Sequence, residues 1–349
     1  MAATLNLPSL LRGRAPALRG LEGASVVVTG ASSGIGRATA LAFARRGARV
    51  ALAARRADLL EEVARECRAF GVEALAVPTD VTDADAVLRL AHEAERAFGG
   101  IDVWINNAGI GVIGAFGDTD LALHRRVLEV NLLGVMHGAH AAYPVFRRQN
   151  RGVLLNTVSV GAWAPTPFAA SYVASKFGLR GFLAALRQEW AEHPGLHVCG
   201  VFPAVVDTPG LEHGANLSGR NIDPGPLLYA PEDVAEAHVS LALRPRAEVA
   251  VGWPARAAQA AYAVLPSPTE HATGALVRWA LRRARPAAPR EGAILRTVPE
   301  GRGVSGGWRE QKGVPSGRTL ERGLGLAMAG GLALVALARA ARGRRRSWD

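Results

Sequence analysis

Residues 25–36 read Ser-Val-Val-Val-Thr-Gly-Ala-Ser-Ser-Gly-Ile-Gly. The β-branched run Ser25–Thr29 suits a short buried strand, and Arg37–Arg46 beyond the glycines suits a helix. A Gly-rich turn between such elements lets the backbone approach a pyrophosphate. The phosphates then meet the free N–H groups and favourable dipole of a helix N-terminus. A Cβ at these glycines would block the approach or forbid the turn. Gly30, Ser32, Ser33, Gly34, Ile35 and Gly36 are therefore candidate dinucleotide ligands. No Gly-Lys-Ser/Thr follows, so the turn is not a P-loop.

The pattern continues on the C-terminal side. Residues 48–53, 73–77, 101–105, 152–158 and 197–202 read as strands, and 248–252 as a last one. Between them, 57–70, 83–98, 119–149, 170–192 and 231–243 read as helices. Strands alternating with helices imply right-handed βαβ units and a parallel sheet covered on both faces. The apolar strand interiors agree. Beyond Pro254, residues 255–284 read as one or two Ala-rich helices, and 285–320 as a Pro-, Gly- and Arg-rich linker or irregular extension. The expected organisation is an arm over 1–22, a dinucleotide-binding catalytic domain over 23–253, a helical then irregular basic extension over 254–320, and an apolar segment with an Arg-rich tail over 321–349.

The net charge of +11 suggests nucleic acid until it is mapped. Residues 254–349 carry 17 basic and 6 acidic side chains, which leaves 24 of each in the rest of the chain. The main domain therefore has no net basic footprint for phosphate backbones. The cysteines are two, Cys67 and Cys199, which excludes a disulfide scaffold and a Cys-based zinc cage and fits a reducing, cytoplasmic setting. His193 and His197 straddle Pro194 and Gly195 rather than sharing a helix face, so no metal site is expected. The start of the chain is Arg-rich and acid-free before Glu22, which also admits a transit-peptide reading.

Two further patterns carry chemistry. The second strand ends Ala53-Ala54-Arg55-Arg56, where a fold preferring NAD places Asp or Glu on the ribose 2′-OH. Here no carboxylate repels a 2′-phosphate, and Arg55 can bind one bidentately; the plainer alternative is a pair of solvated arginines. The prediction is NADP(H) over NAD(H). Tyr172 and Lys176 lie four apart in a predicted helix, so phenol and ammonium share a face. A nearby cation favours phenolate, which would lower the Tyr172 pKa toward neutrality. Ser159 follows the predicted strand 152–158, where its hydroxyl can stabilise a developing oxyanion or simply cap a turn.

In their order and spacing, TGASSGIG (29–36), DV (80–81), NNAG (106–109), NLLG (131–134), Ser159, YVASK (172–176) and PAVVDT (203–208) resemble the classical short-chain dehydrogenases/reductases over about residues 23–252. The resemblance implies a Rossmann-like, doubly wound α/β domain with about seven parallel strands and helices on both faces. It implies Tyr172 as general acid–base, Lys176 on the nicotinamide ribose and tuning Tyr172, Ser159 polarising the carbonyl, and Asn131 holding a water in a proton relay. It further implies Asp80 and Val81 at the adenine and Asn107, Ala108 and Gly109 along the adenosine. Pro203 opens the loop that brings Val206 and Thr208 to the nicotinamide carboxamide. One departure is Ala204, where the family has Gly after Pro203. Helix pairing into a dimer or tetramer is also implied.

The expected function is hydride transfer between NADP(H) and a small-molecule carbonyl or secondary alcohol, with no nucleic-acid partner. The rivals are a non-catalytic NADP-binding scaffold and a membrane-associated interaction protein. Gly-, Pro- and Leu-rich residues 207–230 read as a substrate lid, whose Leu211, Leu217, Ile222, Leu227, Leu228 and Tyr229 suggest an apolar or mixed substrate. Residues 323–338 are uncharged for 16 positions and followed by an Arg cluster. That length falls short of the roughly 20 residues of a membrane span, leaving attachment to a cytoplasmic membrane face and packing on protein as alternatives.

Overall fold

The computed structural model describes residues 18–315 and Thr319. Strand β1 (Ser25–Thr29) leads through the Gly-rich turn into helix α1 (Gly34–Ala44). Then come β2 (Arg49–Ala54), α2 (Ala57–Arg68), β3 (Ala74–Pro78), α3 (Ala84–Phe98) and β4 (Val103–Asn106). The second half adds α4 (Leu121–Leu128), α5 (Gly134–Gln149), β5 (Gly152–Thr157), α6 (Ala170–Glu189), β6 (Leu196–Pro203), α7 (Pro231–Leu243) and β7 (Glu248–Val251). The seven strands form one sheet in the order β3-β2-β1-β4-β5-β6-β7, every pair parallel. This is the expected doubly wound α/β fold. The direction of strand addition reverses between β1 and β4, which opens a crevice at their C-terminal ends.

Strand periodicity builds the core. Val26 and Val28 pack on one face with Ala40 and Phe43 of α1 and Val234 and Val239 of α7. Val27 faces the other way, toward Leu90 and Ala94 of α3 and Ala142 and Phe146 of α5. Asp83 caps α3 by accepting from the Asp85 and Ala86 amides, worth about 1 kcal/mol, and Gly99 ends it in the left-handed region.

Residues 119–149 form two helices rather than one. A π-helical turn over Glu129–Leu133 separates α4 from α5 and directs Asn131 inward. The extension contains two helices, α8 (Trp253–Val264) and α9 (Pro266–Arg283), divided where Pro266 opens the second. Beyond α9 the chain is irregular as expected, yet it does not lead away as a linker. It runs back across the C-terminal ends of the strands and ends in the short helix α10 (Trp308–Lys312). Among the described residues no helix is long and apolar enough to cross a membrane. The segment 323–338 lies outside the described residues, as does most of the 1–22 arm.

Candidate active site

The crevice between β1 and β4 brings together most of the expected dinucleotide ligands. Gly30, Ser32, Ser33, Gly34, Ile35, Arg55, Asp80, Val81, Asn107, Ala108, Gly109 and Thr208 line one cleft. Gly36 lies beneath it: a Cβ there would sit 2.7 Å from the Gly30 carbonyl carbon and 2.6 Å from Asn107 Nδ2. The turn is thereby locked against the strand-four loop. Thr29 Oγ1 accepts from the Asn107 and Ala108 amides at 3.0 and 3.2 Å, and Asn107 Nδ2 donates to Thr29 O at 3.1 Å. Pro203 and Val206 are not cleft-lining residues. Pro203 is buried at the end of β6, and Val206 packs in the core and bridges to Tyr229. The Ala204 methyl lies against Gly252, where a Cβ would approach it to 3.1 Å, so a glycine opposite accommodates the departure.

Both arginines after β2 line the cleft, half-buried. Arg55 donates to Ala293 O at 2.7 Å. Arg56, which sequence reading passed over, donates to the Ser32 and Ser33 hydroxyls, each at 3.2 Å. Burial lowers the pKa of both guanidiniums from the ordinary arginine value. Asp80 is different. Burial acts to raise its pKa, yet hydrogen bonds from Thr82 and Arg126 hold it below the usual carboxylate value. With its carboxylate so engaged, Val81 and the Asp80 backbone remain to meet a ligand.

The expected catalytic residues, Tyr172 and Lys176 included, lie outside the residues lining that cleft and surround Gly109 and Gly161. Tyr172 on α6 and Ser159 meet over Gly161, where a Cβ would lie 3.4 Å from the Tyr172 ring and 3.5 Å from Ser159 Oγ, and Ser159 accepts from the Gly161 amide at 3.0 Å. Lys176, one turn on, donates to Thr157 O at 3.1 Å. Asn131 Oδ1 accepts from Ile110 N and its Nδ2 donates to Ile110 O, both at 2.8 Å, and also to Ser175 Oγ at 3.1 Å. Asn131 Oδ1 and Lys176 Nζ both border Gly109, 3.4 and 3.8 Å from where a Cβ would stand. The expected lowering of the Tyr172 pKa does not occur. Desolvation raises it, against a lowering contribution from Ser159. The Lys176 ammonium stands 5.7 Å from the ring centre and is directed at Thr157. Burial pushes Lys176 itself down to about 8.

Sequence reading also missed the support behind these groups. His238 of α7 is fully buried between Thr39 Oγ1 at 3.1 Å and Thr157 Oγ1 at 3.2 Å, and Thr157 donates onward to Asn107 Oδ1. A histidine on an otherwise apolar helix face was the available signal. Burial pushes its pKa from 6.5 down to about 3. The unfolded chain therefore holds an extra proton between those values, so this group's contribution to stability is complete above pH 6.5 and is lost toward pH 3. We expect stability to fall by about 1.4 kcal/mol per pH unit below 6.5 from this group, and His238→Gln to remove that slope. Denaturant titrations from neutral pH into the acid range check this; equal slopes in both proteins would refute it.

Asp120 caps α4 through the Ala122 amide. Trp163 is buried and stacked on Phe202 at 4.1 Å. Leu228 and Tyr229 of the expected lid face the core, whereas Leu217, like Ile110 and Tyr172, packs against the cluster of Val112, Leu123, Val127, Ala215 and Ile294. Among the described residues no cluster of three or more His, Cys, Asp or Glu could hold a metal ion.

The short chain dehydrogenase family model matches residues 24–215. An uncharacterized oxidoreductase of Bacillus subtilis, YxnA, is 31% identical over 331 residues, covering 93% of each chain. The 3beta-hydroxysteroid dehydrogenase 1 of Eggerthella lenta is 39% identical over 232 residues, 64% of this chain and 87% of its own. Among solved structures, an alcohol dehydrogenase from the archaeon Thermococcus sibiricus, complexed with 5-hydroxy-NADP, superposes with a TM-score of 0.58 at 31% identity, over 65% of this chain and 94% of the other. Shared sequence over nearly the whole length, on this sheet and this strand order, makes the chain a member of the short-chain dehydrogenases, a family of oxidoreductases.

Proposed function

We propose that the protein is an NADP(H)-dependent oxidoreductase interconverting a carbonyl and a secondary alcohol on a small, largely apolar molecule. The observation that carries this reading is Tyr172 and Ser159 meeting over Gly161, with Lys176 one turn away, beside a cleft lined by the Gly-rich turn. The cleft fits such a group. Gly30, Ser32, Ser33 and Gly34 line it at the N-terminus of α1, and Arg55 and Arg56 present half-buried cations where a 2′-phosphate belongs. The names of the relatives, an alcohol dehydrogenase with an NADP derivative and a hydroxysteroid dehydrogenase, support the same class.

The bound nicotinamide supplies or accepts the hydride. Tyr172 gives its phenolic proton to the carbonyl oxygen during reduction and takes it back during oxidation. Its raised pKa keeps the donor form present through neutral pH. Ser159 donates to the same oxygen as negative charge develops there. Lys176, at about 8, is mostly protonated near pH 7 and supplies positive charge one helical turn from the phenol. Asn131 braces the 110 loop and Ser175, which fixes the frame around that ammonium. Ile110, Leu217 and Tyr172 border one apolar cluster of Val112, Leu123, Val127 and Ile294, which gives an apolar wall for substrate.

The test is NADPH and NADH oxidation over a panel of ketones, aldehydes, steroids, quinones and 3-oxoacyl thioesters, by wild type and Arg55→Ala. The wild type is expected to turn over with NADPH preferred. Arg55→Ala is expected to raise the NADPH KM about 10–100-fold, one charged hydrogen bond's worth, with NADH within about threefold. Equal losses for both cofactors would remove the 2′-phosphate assignment. Silence across the panel with NADPH still bound would favour the scaffold reading.

A further inference from the structure

Residues 285–309 are not needed to complete the sheet, yet they lie on the dinucleotide cleft. Bridges pairing Arg220 with Pro286 and Asn216 with Arg290 start the segment, and Ile294 is buried with Val112, Leu123 and Val127. Ala293, Thr297 and Val298 then line the cleft opposite the Gly-rich turn. Backbone carbonyls of the segment accept from the donors of the cleft: Ala293 O from Arg55 at 2.7 Å, Glu300 O from Arg56 at 2.9 Å, and Gly303 O from the Gly34 amide at 3.0 Å.

The segment is closely seated on residues 207–214. A Cβ on Gly292 would lie 2.6 Å from Gly214 O, one on Gly301 2.8 Å from Pro209 Cβ, and one on Gly306 2.7 Å from Thr208 O. Asp207 fastens it. This carboxylate is fully buried and accepts from Ser305 Oγ at 2.9 Å, Trp308 N at 3.0 Å, and Arg309 N and Nε at 3.3 and 3.1 Å. A buried charge demands such partners, and here the extension supplies these four. The cleft measures about 220 Å³. Small-molecule sites commonly measure roughly 300–1,000 Å³, so with the segment seated this part of the site is narrow. The alignment with the Bacillus subtilis relative, at 93% of the chain, must include this extension, whereas the Eggerthella lenta alignment covers 64%.

We propose that residues 293–309 are a strap forming the second wall of the nucleotide site, which closes over bound NADP(H) and sets its release rate, with Asp207 as the positioning residue that seats it. The inference rests on the cofactor reading above. The strap touches Arg55 and Arg56 at one end and Thr208 at the other, so loosening it frees the nucleotide along its length.

The experiment is displacement of NADPH from the full-length protein by excess NADP+, followed by stopped-flow fluorescence, for wild type, Arg309→Ala and Asp207→Asn. Arg309→Ala removes the ionic half of the latch from a partly exposed side chain and keeps the proposal testable where Asp207→Asn fails to fold. Release is expected to be about tenfold faster or more in the variants, and the NADPH Kd to weaken by less, because uptake also quickens. Unchanged release in folded variants would overturn the strap and leave the cofactor reading standing. Tighter NADPH binding in the variants would show the strap excludes the cofactor, and would overturn it too. A wild type that binds no NADPH overturns the cofactor reading itself.

Discussion

Tyr172→Phe is expected to lower kcat by about 10²–10⁴-fold, the range of a lost general acid, while the NADPH Kd moves less than about twofold. The substitution removes one oxygen and leaves the ring. The ring keeps its packing against the cluster around Val112 and Ile294, and Lys176 keeps its bond to Thr157, because neither involves the phenol oxygen. Ser159 keeps the Gly161 amide. A fall in kcat at constant cofactor affinity is the signature of a group acting only as bonds change. Steady-state kinetics and a fluorescence titration of NADPH measure the two quantities. Turnover retained in the variant would end the proton-transfer role.

The second large effect is expected at Gly36, where alanine replaces one hydrogen by a methyl group. That methyl would lie 2.7 Å from the Gly30 carbonyl carbon and 2.6 Å from Asn107 Nδ2, so the Gly-rich turn and the strand-four loop must separate. Both lie on the cleft, so the shift is expected to weaken NADPH binding by at least about 100-fold and lower stability by about 1–3 kcal/mol. Gly181→Ala is the matched control. It lies in α6 with open space around its Cβ, and helix propensity favours alanine there. Thermal melts and NADPH titrations of the two variants are the measurement; identical behaviour would refute the packing argument.

What could be read in the amino-acid order follows the range of the interactions involved. Alternation of strands and helices, the glycine turn and the Tyr172–Lys176 spacing are local patterns, and they placed the sheet and the cleft. The break at Glu129–Leu133 depends on Asn131 reaching across to Ile110 and Ser175, which no local period encodes. The upward shift of Tyr172 depends on burial by distant residues, and the 3.6-residue repeat shows only that Lys176 is near. His238 acts through Thr39 and Thr157, 199 and 81 residues away in sequence. Residues 285–309 have no periodicity to read. Their order comes from carbonyls and glycines, which make contacts through the backbone and leave little mark on composition.

The returning segment also imposes an order on synthesis. Its bonds join Arg37 to Arg302 and Arg55 to Ala293, separations of 265 and 238 residues. The sheet is complete once Val251 has been made, but Arg309 follows nearly sixty residues later. At about 5–20 residues per second, that leaves an interval on the order of 3–12 s. During it the newborn domain stands without the segment that later crosses the C-terminal ends of its strands.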